Sequence, residues 1–486
     1  MKTPAAPPKL EPMGPNLWRI PKEQHPGMRV DGRIFASAGL LEDVFRDQAL
    51  EQVIHVAHLP GIVGASFAMP DIHWGYGFPI GGVAAFDVER GVVSPGGVGY
   101  DINCGVRLLA SRLEQDEVVP KLRDLLANLF RRVPAGVGSE GRITLKAPEL
   151  KRVLEQGSRW AVGQGYGWQE DAERTENEGR LGDADSGLLS ARALERGLSQ
   201  LGTLGSGNHF LEVQTVDEVY DQAAAEAYGL RIGQVTVMIH CGSRGLGYQV
   251  CEDFLGVLRR ATRTYGVELP DPQLACAPIQ STEGREYLAA MAAAANYAWA
   301  NRQCITHWVR EAFQDTLGKP AERLGLHLVY DVAHNIAKLE THQVDGKPRQ
   351  VCVHRKGATR AFPAGHPEVA ERYRSVGQPV LIPGSMGTAS YVCAGGAAAM
   401  EQSFGSTAHG AGRVLSRHAA IRQAQGRSIG AELAAQGIQV MARGRETLAE
   451  EAPAAYKNID EVVETVHQAG LSRKVARMRP LGVVKG

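Results

Sequence analysis

The sequence predicts a single large α/β domain, and three observations carry that prediction. Short apolar runs rich in β-branched residues recur and end in polar or glycine-rich loops, as where QVTVMIH (234–240) meets CGSRGLG (241–247); this is the pattern of strands feeding tight turns. One long alanine-rich stretch with spaced aromatics, Glu283–Gln314, has the composition of a helix packed across a core. No fixed-period repeat and no low-complexity linker divides the 486 residues, although length alone allows about three domains of roughly 150 residues. Hydrophobic residues at 44% and charged residues at 22% exclude collagen-like and wholly disordered chains.

The elements follow in order. Residues 1–30 begin MKTPAAPPKLEPMGPN, whose prolines block regular structure; an arm or edge segment is expected there, followed by one domain over 31–486. That opening lacks the apolar run of a signal peptide, and no later segment approaches the roughly 18 apolar residues of a membrane helix. Between Val53 and Leu109 apolar runs alternate with glycine turns, predicting short strands and little helix. Pro120–Arg132 opens with proline and has helical spacing. A polar stretch, 170–186, precedes a second glycine-rich segment, LGTLGSGNHFLEVQTVD (201–217). Strands are expected in LGLHLVYDVAHN (324–335), QVCVHRKGATRAFPA (350–364) and PVLIPGSMGTASY (379–391). The last hundred residues are expected to be mostly helical, up to a short basic tail. Seven cysteines, an odd number without a CxxC pair, argue against a disulfide framework and for a reduced, cytoplasmic protein.

The loops concentrate metal-competent side chains. Asp101 and Cys104 stand three apart in DINCG, His209 follows GSGN, His240 ends a strand, and His334 follows another. Carboxylate, thiolate and imidazole suit Mn, Fe, Co or Zn. A lone histidine after a strand is ordinarily a packed or capping residue, and a buried cysteine a small hydrophobe; what points to a metal is the same setting four times over. No Walker A sequence is present. GVGSEG (Gly136, Gly138, Gly141) fits G-x-G-x-x-G but follows a helical stretch rather than a strand, so it carries little weight as a dinucleotide fingerprint. IPGSMGTAS, with Ser385 and Ser390, is a better anion cradle, or else a plain strand-to-helix turn. STAHGAGRVLSR centres on His409 with Arg413 and Arg417 four apart. An imidazole beside two cations suits attack on phosphorus; spacing alone equally allows a helix-start histidine beside two solvated arginines, and on spacing alone that plainer reading is favoured.

MPDIHWGYGFPIGG, GGVGYDINCGVRLL, LGSGNHFLE, IHCGSRGLG, DVAHNIAK, VHRKGATRAFP, IPGSMGTASY, HGAGR and VVKG occur in this order. Together they resemble the RtcB family of RNA-splicing ligases, from about residue 20 to the last residue. The resemblance implies a one-domain α/β fold peculiar to that family, with the active site in a cleft of strand ends and glycine-rich loops. It implies joining of RNA 2',3'-cyclic phosphate or 3'-phosphate ends to 5'-hydroxyl ends, with GTP and two Mn ions. By that resemblance Asp101, Cys104 and His209 would hold one ion, and Cys104, His240 and His334 the other. His409 would take GMP from GTP. Asn208, Phe210, Glu212, Asn335, Pro383, Gly384, Ser385, Met386, Ser390, Gly410, Ala411, Gly412, Tyr456 and Lys485 would line the nucleotide site, Glu212 reading guanine's donor edge. Arg196, Arg244, Arg413 and Arg417 are candidates for RNA phosphate contacts. The partners implied are RNA ends, with an archease-type activator as a helper the residues themselves do not encode.

Two rival readings use the same residues: a metal-dependent phosphoesterase or nuclease that needs no His409, and a non-catalytic RNA-binding factor. The balance of 53 basic against 53 acidic residues excludes a uniformly basic coat but allows local basic tracks. Arg355–Arg360 (RKGATR) and Ser472–Gly486, with Arg473, Lys474, Arg477, Arg479 and Lys485, are the expected tracks.

Overall fold

The computed structural model describes residues 8–486. Its strands run β1 (Glu11–Gly14), β2 (Leu17–Ile20), β3 (Asp31–Phe35), β4 (Ile62–His73), β5 (Ile80–Asp87), β6 (Val92–Val93), β7 (Gly105–Glu114), β8 (Phe210–Val219) and β9 (Gln234–Cys241). After β10 (Ala277–Pro278) come β11 (His327–Ala333), β12 (Asn335–Val344), β13 (Lys347–Lys356), β14 (Ala358–Arg360), β15 (Pro379–Ile382), β16 (Ser390–Gly395), β17 (Ser406–Ala408), β18 (Gln439–Ala442) and β19 (Ser472–Lys485). Two large sheets result, ordered β1-β2-β3-β4-β5-β13-β12 and β11-β7-β9-β8-β19-β16-β15, with β18 parallel beside β19. Both sheets are mixed: antiparallel pairs dominate, and β3–β4 is parallel.

Helix Thr282–Leu317 runs 36 residues and is buried along most of its length. Ser281 caps it by accepting from Gly284 N–H, and Gly318 ends it in the left-handed region at φ 70°. Its alanines allow close approach, so helices Leu122–Arg132, Ala147–Gln156, Ser158–Gly163 and Arg244–Thr264 all pack on it. Among the described residues no helix is long and apolar enough to cross a membrane.

Residues 11–20, within the expected arm or edge segment, form β1, at the edge of its sheet, and β2, which pairs with both β1 and β3; residues 1–7 lie outside the described part. One expectation is corrected here. The C-terminal hundred residues hold five short helices rather than a mostly helical block, and the basic tail is β19, a 14-residue strand between β8 and β16. This strand is buried along most of its length, Val475, Met478, Val483 and Val484 included, and on both faces over its last residues; its partner β8 lies more than 250 residues earlier in the chain.

Candidate active site

Strand register brings the metal-competent residues together. Gly105, at the start of β7, pairs with Cys241 on β9 and with Ala333 on β11. Cys104 therefore sits one residue from both strand ends, and His334 lies where the chain leaves β11 for β12, passing from one sheet to the other. His240 pairs across to Phe210 on β8, which sets His209 alongside. The Cys104 Sγ lies 3.5 Å from His209 Nε2 and 3.3 Å from His240 Nε2, and His240 Nε2 lies 3.3 Å from His334 Nε2. Asp101 Oδ2 meets His209 Nε2 at 2.8 Å.

These atoms form two ligand sets, Asp101–Cys104–His209 and Cys104–His240–His334, with Cys104 common to both. The donor chemistry fits a pair of divalent transition ions. His209 Nδ1 donates to the Leu204 carbonyl at 3.0 Å, fixing the tautomer that leaves Nε2 bare for a metal. Burial, and then the neighbouring histidines, hold His240 and His334 well below the usual imidazole range, so both are neutral donors. Burial pushes the Cys104 thiol up to about 12, and the charge on Asp101 adds to this; ion binding there must displace its proton.

The 101–104 loop is clamped from behind by the long helix. Arg302 donates to the carbonyls of Asn103 and Cys241 at 2.7 and 2.8 Å and bonds both carboxylate oxygens of Asp331 at 2.8 Å. Arg107 adds a 2.7 Å bond to Asp331, and all three charged side chains are fully buried. Asn103 occupies the left-handed region at φ 51°, which asparagine tolerates better than most residues.

A cleft of about 900 Å³ opens over this floor. Asp101, His240, His334 and His409 line it, with Asn208, Phe210, Glu212, Asn335, Pro383, Gly384, Ser385, Met386, Gly410, Ala411, Gly412, Tyr456 and Lys485. His409 follows β17 in a loop, not at a helix start, and its ring centre is 4.9 Å from that of His334. Its Nδ1 donates to Asp71 Oδ2 at 2.5 Å, while the backbone N–H groups of His409 and Gly410 donate to the same oxygen at 2.9 and 3.3 Å. Burial disfavours the Asp71 charge, but His409 and Lys457 outweigh it and hold the carboxyl below its usual range. Lys457 in turn donates to the carbonyls of Pro70 and Ile72 at 3.0 and 2.6 Å, bracketing Asp71.

Glu212 is buried with few partners, Gln214 Nε2 at 2.6 Å among them, and burial lifts its carboxyl to about 8. Register sets Lys485 of β19 opposite Phe210, and its ammonium lies 3.5 Å from Glu451 Oε2. Glu451 is a buried hub: Arg413 bonds it at 3.0 Å, and Tyr456 donates to it. Ser390 does not line the cleft; its hydroxyl accepts from Gln214 and from the Gly384 N–H at 3.1 and 3.2 Å, supporting the loop from behind.

The arginines separate. Arg413 and Arg417 line the cleft, but only Arg417 is helical, because the helix begins there. Arg413 is committed to Glu451 and the Glu450 carbonyl. Arg196 and Arg244 lie outside the lining; Arg244 bonds Thr203 Oγ1 at 3.2 Å. The expected basic track at 355–360 is corrected: Arg355 is buried against Glu340 at 2.6 Å, Lys356 against the carbonyls of Tyr76 and Phe78, and Arg360 against Glu176 and Glu368. Within the other track Arg473, Lys474, Arg477 and Lys485 are paired with acids. Asp71, Lys457, Glu451 and the Arg302–Asp331 pair went unmarked by sequence reasoning. The only signal for Asp71 was a carboxylate set inside an apolar strand run, in MPDIHWG.

Comparison with known proteins gives one consistent answer. The sequence model of the family described as tRNA-splicing ligase RtcB matches residues 52–486. The tRNA-splicing ligase RtcB of Thermococcus kodakarensis is 58% identical over 469 residues, spanning 96% of this chain and 97% of that protein. That of Archaeoglobus fulgidus is 59% identical, with the same shares covered. The RNA-splicing ligase RtcB of Mycobacterium tuberculosis is 57% identical over 440 residues, 90% of this chain and 100% of its own length. With a family match across most of its length and relatives this similar end to end, the chain belongs to the RtcB family of RNA-splicing ligases.

Proposed function

We propose that this chain is a GTP- and Mn-dependent RNA ligase acting in tRNA splicing or RNA repair. It joins RNA 2',3'-cyclic phosphate or 3'-phosphate ends to 5'-hydroxyl ends. The observation that carries the mechanism is His409: Asp71 holds its Nδ1–H, which leaves Nε2 as the nucleophilic nitrogen beside the ligand cluster. His409 Nε2 attacks the α-phosphorus of GTP, an N–P bond forms, the α–β P–O bond breaks, and pyrophosphate leaves. Asp71 stabilises the positive charge the ring acquires, as a buried carboxylate does for a histidine that gains charge. A cyclic end is first opened by water, which bonds to phosphorus as the P–O2' bond breaks, leaving a 3'-phosphate and a 2'-hydroxyl; an oxygen of that phosphate then takes GMP from His409, breaking the N–P bond. The 5'-hydroxyl attacks the activated 3'-phosphorus and GMP departs.

Asp101, Cys104, His209, His240 and His334 are the residues that would hold the ions. When bound there, the ions would polarise phosphoryl oxygens and lower the pKa of an attacking hydroxyl. Glu212 accepts from the guanine donors, and the backbone N–H groups of Met386, Ala411 and Gly412, which line the cleft, are offered to phosphate. Incubation with α-labelled GTP and Mn tests the reading: the protein should retain an acid-labile labelled adduct, and His409→Ala should lose it. Metal-loaded protein that cleaves RNA phosphoesters but never carries label would support the phosphoesterase alternative and sink the ligase mechanism.

A further inference from the structure

Three tyrosines from separate segments meet at the rim of the cleft. Tyr100 and Tyr248 stack with ring centres 4.8 Å apart and planes 23° apart, and Tyr76 meets Tyr100 edge-on at 5.6 Å. Tyr76 and Tyr100 line the cleft, whereas Tyr248 stands outside the lining and is 48% exposed. The row thus leads from the interior of the cleft to the surface. It is tied to the metal-competent floor by short stretches of chain. Tyr100 directly precedes Asp101, and Tyr248 lies in the first turns of helix Arg244–Thr264, which starts shortly after His240.

The row is braced rather than loose. Lys356 donates to the carbonyls of Tyr76 and Phe78, holding the Tyr76 loop. Arg259 donates to the Tyr76 hydroxyl at 2.9 Å, and the Arg196 guanidinium lies 6.0 Å from the Tyr248 ring centre. Glu252, one turn beyond Tyr248, is the acidic group whose charge reaches Tyr100. Rings used only for packing are normally buried in the core, and here a stacked pair opens to solvent between two cations. Aromatic faces flanked by arginine recur where unpaired bases are bound, because every base has a π-face and every nucleotide a phosphate.

We propose that Tyr76, Tyr100 and Tyr248 form a stacking wall for the unpaired bases of an RNA strand whose end lies in the cleft, with Arg196 and Arg259 beside its phosphates. This rests on the reading that the chain joins RNA ends. It assigns that strand a path out over helix Arg244–Thr264.

The test is a cycle between Tyr248 and the RNA. Tyr248→Ala is an exposed substitution outside the metal and nucleotide residues, so labelling of His409 by GTP should stay at the parent rate. Single-stranded oligonucleotides ending in 3'-phosphate or 5'-hydroxyl, with an abasic site walked along each, are titrated by fluorescence anisotropy. For the parent, one abasic position should weaken binding by about tenfold; for Tyr248→Ala the intact RNA should bind about tenfold more weakly, and that abasic position should cost nothing further. Tyr248→Trp should restore binding and Tyr248→Leu should not. Equal losses for intact and abasic RNA, or unchanged binding by Tyr248→Ala, would overturn the proposal while GTP labelling left the ligase reading standing. Failure of the parent itself to take label would instead count against that reading.

Discussion

Asp71 and His409 stand 338 residues apart, yet one carboxylate oxygen receives three N–H groups from the His409 turn. That geometry fixes both the ring's tautomer and its aim, so Asp71→Asn should keep the fold and slow adduct formation from GTP by about 10²–10⁴-fold, the usual worth of a positioned proton partner; single-turnover labelling checks it. Glu212 supplies a pH signature. Burial lifts it from an ordinary 4.5 to about 8, so between those values the folded protein holds a proton that the unfolded chain has lost. Stability must therefore fall as pH rises from about 4.5 to about 8, and Glu212→Gln should remove that slope from denaturant midpoints measured across the window. Guanine's donors need the ionised carboxylate, so GTP binding should take up no proton above pH 8, release one below it, and tighten as pH rises towards 8. The residue types of this site were legible because Cys, His and Asp advertise their chemistry wherever they stand. Asp71 was not, because a single carboxylate in a strand declares nothing until its partner is placed.

At the scale of elements, register does what no single residue can. The start of β7 is flanked by the ends of β9 and β11, and those three ends hold three of the five metal-competent side chains, Cys104, His240 and His334, within a step of one another. The apolar runs that define these strands were readable from β-branched composition, and so was the long helix. What composition hid was the back of the site: Arg107 and Arg302 look like ordinary cations in sequence, and only folding buries both against Asp331. Removing the shared acid strands two buried charges, so Asp331→Asn should cost about 3–5 kcal/mol of unfolding free energy. Urea titration checks it, and metal affinity should fall with it because Arg302 also holds the Asn103 and Cys241 carbonyls. The RKGATR cations were misjudged for the same reason, since the acids that pair with Arg355 and Arg360 and the carbonyls that hold Lys356 sit on other strands or loops.

Across the whole molecule, charge neutrality goes with a cleft whose basic groups are mostly committed to acids. Arg413 and Lys485 share Glu451, and Arg417, with its side chain 56% exposed, is freer than either. Few phosphates can then be neutralised on binding. With single strands releasing about 0.7 counterion per contact, the plot of log affinity against log salt for a single-stranded RNA end should have a shallow slope of about −2 to −3, measurable by anisotropy between 50 and 300 mM salt; a slope near −7, as expected for about ten contacts, would refute it. β19 has a consequence of a different kind, in the order of synthesis. It fills the gap between β8 and β16, and the ribosome delivers it only after more than 470 other residues. Until then β8 and β16 present open edges, and the nascent chain carries its histidines and Cys104 without Lys485 beside them. A polypeptide stalled short of this strand is therefore marked, by those unpaired edges, for chaperones and proteases.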